Sequence, residues 1–407
     1  MTRCGKPKRK FWVIQSQRRF GLQPAATQPV AQKISVRPQS PRPRLAYIDN
    51  LRWTMILLVL SMHSADTYSP LGNWYFTDRA PVSGPTLLVF AAWQMYLQSF
   101  FMGLLFFVAG YFVPPSVDRK GPAKFVRDRA YRLGLPVLFY MFVLGPVTEY
   151  FFSRSWNSTE PTSFANEWIK HIRNGEFLQE NGPLWFCLAL LIFCAVYAGW
   201  KMLCPGIRSG NEEKPTPGIG KLIGFALVMA AFEFCIRRVL PGVSFLNMHL
   251  GDFSQYILLF TAGVLAARQG WLPRLSYSSG IRWLVVVLSV GFAAWLTMLF
   301  KGGALTGHIG AFYEGRHWQS AAFSLWESVT CVAISFGLLV LYREKLNAQG
   351  KLGKFLSGNA FSVYVFHPPI VILGARMMQG LAWHPLLKFA VLTCFSIIVA
   401  FALSEIL

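Results

Sequence analysis

Hydrophobic residues in this chain gather into ten long runs that are separated by short polar stretches. The runs occupy roughly 49–68, 87–113, 132–152, 183–203, 219–236, 253–270, 282–300, 318–342, 355–376 and 383–405. Several are longer than about eighteen residues with few or no charges, which is typical of transmembrane helices. They do not alternate polar and apolar residues as the strands of a membrane β-barrel do. The pattern predicts an all-α polytopic membrane protein, a bundle of about ten transmembrane helices.

The distribution of positive charge predicts how this bundle is oriented. The 39 lysines and arginines and 18 acidic residues give a net charge of +21, a balance that could also indicate nucleic-acid binding. If the N-terminus is cytoplasmic, however, 28 of the 39 fall in cytoplasmic segments and eight in the loops on the other side. This asymmetry follows the positive-inside rule and predicts an N-in/C-in topology. We therefore expect the lipid bilayer as a partner, and no nucleic acid.

The chain divides into a short tail and one membrane domain. Residues 1–45 are basic and contain several prolines, without the apolar stretch of a signal peptide, and we expect a disordered basic cytoplasmic tail. Residues 46–407 then form the ten-helix membrane domain. Its sequence stops at Leu407 without a polar tail, which leaves open a last helix that is cut short. The seven cysteines show no CxxC spacing, so we expect neither disulfides nor a metal site.

The first apolar run contains ionisable residues. Arg52 and His63 are eleven residues apart, close to three helical turns, and so lie on the same face of one helix. Asp49 precedes Arg52 by three residues and can pair with it. Ionisable groups inside a membrane are costly and normally face the bundle interior or a wet cavity. The spacing predicts a polar site inside the membrane; the alternative is a structural ion pair at the interface and a histidine bonded to a neighbouring helix.

Three arginines lie where the chain enters the third run. Arg127, Arg129 and Arg132 are on the cytoplasmic side in the topology above, and Arg129 and Arg132 have the i, i+3 spacing of one helix face. Guanidinium groups can bind phosphate oxygens in bidentate fashion. The same residues can equally be positive-inside anchors, and the sequence alone favours that alternative.

Five motifs, in order along the chain, resemble one protein family. They are 47–52 (YIDNLR) followed by His63, 106–112 (FFVAGYF), 129–132 (RAYR), 182–186 (GPLWF) and 361–367 (FSVYVFH). Together they are similar to the acyltransferase-3 family of membrane acyltransferases, over about residues 46–406. Within that family, the second run and the pair Arg237-Arg238 look most like the glucan biosynthesis protein C branch.

The resemblance implies an activity and roles for particular residues. It implies transfer of an acyl group from cytoplasmic acyl-CoA to a hydroxyl of an envelope carbohydrate on the periplasmic side of a bacterial inner membrane. We expect acetyl-CoA, with succinyl-CoA as the other candidate, to be a co-substrate rather than a permanently bound cofactor. His63 would be the general base, because imidazole titrates near neutral pH. Arg52, paired with Asp49, would stabilise developing charge or anchor the donor, and Arg127, Arg129 and Arg132 would receive its phosphates. Direct attack and an acyl-histidine intermediate both stay open, and we favour direct attack.

Three further residues are candidates for substrate binding. Trp185 could line the acceptor path, although a tryptophan at the end of a span is usually an interface anchor. His367 matches the family motif but could be a hydrogen-bonded structural histidine. Glu327 is an intramembrane carboxylate that could orient His63 or contact a sugar. The competing function is a transporter or exporter of an envelope precursor, with Arg52, His63 and Glu327 as pathway residues.

Overall fold

The structure, a computed structural model, describes residues 45–72, 74–78, 80–154, 163–178, 181–204 and 214–406. The predicted disordered tail, residues 1–45, lies outside the described residues except for Leu45. We number the helices in chain order: α1 Ala46–Tyr68, α2 Gly84–Lys120, α3 Pro122–Phe152, α4 Phe164–Arg173, α5 Gly182–Leu203, α6 Ile219–Val239, α7 Phe253–Gln269, α8 Tyr277–Lys301, α9 Trp318–Lys345, α10 Lys351–Met377 and α11 Pro385–Leu403.

The predicted all-α polytopic membrane protein is confirmed. Among the described residues, nine helices are long and apolar enough to cross a membrane, namely α2, α3 and α5–α11, with α7 counted from Leu250. Helix α1 is a tenth long helix of 23 residues, but it is less apolar because it includes Asp49, Arg52, His63 and Asp66. These ten helices correspond one to one to the ten hydrophobic runs. The short helix α4 is additional and amphipathic.

Contacts between loops define two faces of the bundle. At the face where α1 begins, which we call the N-terminal face, Asn50 Nδ2 donates to the carbonyl oxygens of Leu346 (2.7 Å) and Ala348 (3.0 Å). At the other face, which we call the opposite face, Lys388 Nζ lies 2.7 Å from Asp78 Oδ2 in the loop after α1. Because the ten long helices alternate in direction, α11 ends at the N-terminal face. Which face meets the cytoplasm stays a prediction.

The centre of the bundle depends on close approach of α2 and α7. A Cβ on Gly110 would lie 2.2 Å from the carbonyl oxygen of Phe260, and one on Gly263 would lie 2.1 Å from that of Phe107. Only glycine fits at these two positions. Small residues that let backbones approach closely are a common basis of helix packing in membranes, where lipid removes much of the hydrophobic drive. This contact fixes α2 and α7, which both contribute residues to the candidate site.

Candidate functional site

A cavity of about 160 Å³ lies between α1, α2, α5, α7 and α10. Helix α1 contributes residues from its second half, while α5 and α7 contribute residues from their beginnings, and all of these lie towards the opposite face. The polar and aromatic residues on its wall include His63, Asp66, Trp185, His249, Asp252 and Tyr256. His63 therefore lines a cavity inside the bundle, as its position in the first apolar run predicted.

His63 is held by a carboxylate that the sequence analysis did not identify. Its Nδ1 atom lies 3.2 Å from Asp66 Oδ2, one turn further along α1. Asp66 Oδ1 in turn accepts a hydrogen bond of 2.7 Å from Gln94 Nε2 of α2. Since a carboxylate only accepts, the proton of the neutral imidazole is on Nδ1, and Nε2 keeps its lone pair. Asp66 and Gln94 thus fix both the tautomer and the orientation of His63.

Two aromatic rings lie next to the His63 imidazole. Trp74 stacks on it with ring centroids 3.8 Å apart and planes inclined by 16°. His367 is nearly parallel to it at 5.2 Å, yet Trp74 and His367 are only 6.3 Å apart, so His367 lies beside the His63 ring and not on its far face. His367 is fully buried and its Nδ1 donates to the carbonyl oxygen of Tyr364 (2.8 Å). Its Nε2 has no hydrogen-bond partner in the described part of the chain.

The structure corrects the placement of Arg52. We expected this guanidinium to face the bundle interior with His63, but 53% of its side chain is exposed. The reason is its position in the second turn of α1, close to the N-terminal face, where a long cationic side chain can reach out of the bundle. The predicted contact with Asp49 is present, with 3.9 Å between Arg52 Nη1 and Asp49 Oδ1. Arg52 and His63 share a helix face, but only His63 lines the cavity.

Glu327 is not positioned to orient His63, because Asp66 occupies that place. Glu327 Oε2 instead accepts a hydrogen bond of 2.7 Å from Arg237 Nη2, and both residues are only 4% exposed. Arg237 Nη2 also lies 3.2 Å from Asp252 Oδ1, at the cavity wall. Glu327 therefore reaches the cavity only through Arg237. Removal of one partner of such a buried pair leaves the other charge uncompensated and costs roughly 3–5 kcal/mol.

Aromatic rings and a second carboxylate surround Arg237. Its guanidinium carbon lies 5.3 Å from the ring centroid of Phe323 and 5.9 Å from that of Tyr313. The buried Glu233, four residues before Arg237, accepts a hydrogen bond from Ser328 Oγ (3.1 Å).

Trp185 lines the cavity at the beginning of α5. The preceding Gly182 has φ +50°, and a Cβ there would lie 2.5 Å from the Tyr140 ring. The beginning of α5 therefore requires glycine at this position. A hydrogen bond of 3.0 Å from Asn247 Nδ2 to the Gly182 carbonyl oxygen connects it to the hairpin formed by Ser244–Phe245 and Met248–His249. The hairpin leads directly to Asp252. The contact thus brings the two cavity walls carrying Trp185 and Asp252 together.

The arginine cluster, Arg127, Arg129 and Arg132, lies at the N-terminal face, away from this cavity. Arg127 and Arg132 are exposed, whereas Arg129 is half-buried with its guanidinium 5.3 Å from the centre of the Phe125 ring. No hydrogen bond or ion pair over the described ranges engages the three guanidinium groups. A π-helical turn begins at Ala130, so the α-helical i, i+3 spacing that we assumed for Arg129 and Arg132 does not hold. Such turns occur often at functional sites.

Sequence reasoning missed Asp66, Gln94, Trp74, Arg237 and Asp252 as members of the site. One local signal existed: His63 and Asp66 are at i and i+3, where a carboxylate reaches the same helix face. The other contacts join residues 15 to 90 positions apart, and nothing in a single sequence encodes them. Of the residues proposed for a transport pathway, only His63 lines the cavity.

Comparison with known proteins agrees with the motifs. The chain matches the family model described as an acyltransferase domain over residues 45–405. It is 24% identical over 346 residues to Glucans biosynthesis protein C of Salmonella gallinarum, covering 82% of this chain and 84% of that relative. The protein of the same name from Salmonella paratyphi B is 24% identical over 349 residues, with the same two coverages. No solved structure is significantly similar. Because the family model covers nearly the whole chain, this multi-pass membrane protein belongs to the acyltransferase-3 family and is an acyltransferase.

Proposed function

We propose that this enzyme moves an acyl group from acyl-CoA to a hydroxyl of an envelope carbohydrate, with His63 as general base. The observation that carries the proposal is the hydrogen-bonded series His63–Asp66–Gln94 at the wall of a cavity inside a membrane bundle. A sugar hydroxyl is a weak nucleophile near neutral pH and needs a positioned base. A histidine whose Nδ1 is held by a carboxylate, with Nε2 left to take a proton, meets that need.

One histidine can carry out both proton transfers of this reaction. His63 Nε2 takes the hydroxyl proton as the oxygen attacks the thioester carbonyl, and the C–O bond forms. The C–S bond then breaks, and the departing thiolate takes the proton back from His63. Asp66 stabilises the imidazolium that exists between these steps. Direct transfer needs no acyl-histidine, and we retain it as the proposed route.

The arginine cluster is our proposed site for the phosphates of the donor. Three guanidinium groups that no hydrogen bond or ion pair in the described residues engages are available for charge-assisted hydrogen bonds to phosphate. They lie at the N-terminal face, which the positive-inside rule assigns to the cytoplasm, where acyl-CoA is present. We propose acetyl-CoA as the donor, with succinyl-CoA as the other candidate, and the bacterial inner membrane as the location.

The carbohydrate acceptor is proposed from two facts. The curated relatives are named for glucan biosynthesis, and the His63 cavity lies towards the opposite face, which is periplasmic in the same topology. An acceptor would enter there and meet the acyl group at His63, while the donor approaches from the N-terminal face.

The proposal is tested with the purified full-length protein in lipid vesicles. We expect release of free CoA from acetyl-CoA or succinyl-CoA that increases when laminari-oligosaccharides are added, with one acylated sugar formed per CoA in excess of hydrolysis. Mass spectrometry of the sugar identifies the group transferred. Failure of both thioesters to release CoA, or sugar counterflow that needs no thioester, contradicts the proposal.

A further inference from the structure

The cavity extends from His63 to a second set of side chains that the acyl-transfer step does not use. These are Asp252 and Tyr256 at the beginning of α7, with Trp185 facing them from α5. Tyr256 is 2% exposed and contributes to the cavity wall. No hydrogen bond in the described part of the chain engages its hydroxyl. A buried phenol at a cavity wall without an internal partner is available to a ligand.

The Asp252 carboxylate is held rigidly at this wall. Its Oδ1 lies 3.2 Å from Arg237 Nη2, and Arg237 is itself immobilised by Glu327 and by a hydrogen bond of 3.0 Å from its Nη1 to Ser324 Oγ. About a quarter of the Asp252 side chain, 24%, remains exposed. The buried contacts therefore orient one side of the carboxylate and leave part of it open to the cavity.

The charge of the walls limits what can bind. Asp66 and Asp252 contribute carboxylates, and no lysine or arginine is among the described residues that line the cavity. Behind Asp252, the single guanidinium of Arg237 is shared with Glu327 and lies close enough to Glu233 to interact with it. One guanidinium is thus shared among three carboxyl groups, so its charge compensates Asp252 only in part.

We infer that Asp252, Tyr256 and Trp185 form the acceptor subsite and that this subsite selects an uncharged polyhydroxyl ring over an anionic one. This inference rests on the proposed acyl transfer. A carboxylate accepts charge-assisted hydrogen bonds from sugar hydroxyls, and the tyrosine hydroxyl can donate or accept one more. The aromatic face of Trp185 covers the apolar side of a ring, as aromatic residues do in small-molecule pockets. An acceptor with a carboxylate or phosphate near the reacting hydroxyl would meet like charge at both ends of the cavity.

The test compares two acceptors and two variants of the full-length protein in vesicles. The acceptors are laminaripentaose and its carboxymethylated derivative, with acetyl-CoA or succinyl-CoA as donor. For the wild type we expect the kcat/KM of the neutral sugar to exceed that of the carboxymethylated sugar by about ten-fold or more. A factor of this size corresponds to the free energy of one charge-assisted hydrogen bond. For Asp252→Asn we expect the KM for laminaripentaose to rise about ten-fold. In the same variant the selectivity against the carboxymethylated sugar should decrease.

Tyr256→Phe serves as the second variant and should raise the acceptor KM by a smaller factor, without changing the charge selectivity. Glu314→Gln is the matched control, since it removes an exposed carboxylate at the opposite face outside the cavity, and it should leave both acceptors unaffected. Equal use of the two acceptors by the wild type overturns the inference, whether or not Asp252→Asn folds. An unchanged acceptor KM in a folded Asp252→Asn also overturns it. Absence of CoA release from the wild type contradicts the proposed function instead, so the two failures are distinguishable.

Discussion

The His63 cluster, made of His63, Asp66, Gln94, Trp74 and His367, differs sharply from the arginine cluster at the N-terminal face. In the first, hydrogen bonds of 2.7 and 3.2 Å and a stacked indole fix the imidazole before any substrate arrives. In the second, no hydrogen bond or ion pair among the described residues holds the guanidinium groups. A preorganised site costs little reorganisation at the moment of reaction, whereas an open set of cations is completed by its ligand. The difference is the basis for our proposal of chemistry at the His63 cluster and donor binding at the arginine cluster.

The largest expected effect comes from His63→Ala. It removes the proposed base, and we expect acceptor-dependent transfer to fall by about 10³-fold, within the usual range for general acid–base catalysis. The measurement is acylated sugar formed per minute by equal amounts of membrane-inserted protein. His317→Ala is the matched control, because His317 lies in the loop before α9, at the opposite face, with about half of its side chain exposed. Transfer at a near wild-type rate in His63→Ala would remove this residue from the mechanism.

Asp66→Asn tests whether the cluster acts as one unit. The amide nearly preserves the shape of the carboxylate but no longer stabilises the imidazolium, so we expect transfer to fall by about 10²-fold. The double variant with His63→Ala should be no slower than His63→Ala alone, since residues that act together are not additive. Asp49→Asn, at the other end of α1, should have the smaller effect. A larger loss in Asp49→Asn than in Asp66→Asn would reverse the comparison between the two carboxylates of α1.

The sequence predicted this fold well because a membrane span can be recognised from the length and hydrophobicity of one continuous segment. Ten hydrophobic runs of sufficient length correspond to ten long helices, since a helix satisfies its own backbone within one segment. Candidate residues for the site were predictable only in part. His63 was found through its position in the first apolar run and Trp185 through a motif, and both line the cavity.

The remaining members depend on contacts between distant helices. The Gln94–Asp66 contact joins α1 to α2, and the Arg237–Glu327 pair joins α6 to α9. Helical periodicity cannot say which neighbour a polar face meets. The placement of Arg52 was wrong for a related reason: periodicity gives the face of a helix, but depth decides whether a long cation stays inside or reaches out of the bundle.

A smaller effect is expected from the arginine cluster. Arg129→Lys together with Arg132→Lys keeps the charge but removes the bidentate forks, so we expect the KM for the acyl-CoA donor to rise about ten-fold with a small change in kcat. Initial rates at several donor concentrations provide the measurement. Arg119→Lys, an exposed residue at the same face, controls for general effects of the substitution. An unchanged donor KM in the double variant would leave these arginines as topology anchors, for which lysine is equivalent.

The smallest effect on activity is expected from single cysteine substitutions that test which face of the bundle is cytoplasmic. In a variant whose native cysteines are replaced by serine, Ala130→Cys places a thiol beside the arginine cluster and Ala165→Cys places one on α4, and both positions are exposed. If the N-terminal face is cytoplasmic, an impermeant maleimide added to intact cells with a permeabilised outer membrane should label Ala165→Cys, and should label Ala130→Cys only after lysis. The positive-inside bias of 28 to eight predicts this sidedness. The proposed mechanism requires it as well, because it has acyl-CoA bind the arginines on the cytoplasmic side while the acceptor enters the His63 cavity from the other. Labelling of both positions in intact cells would mean that donor and acceptor sites are not separated by the membrane.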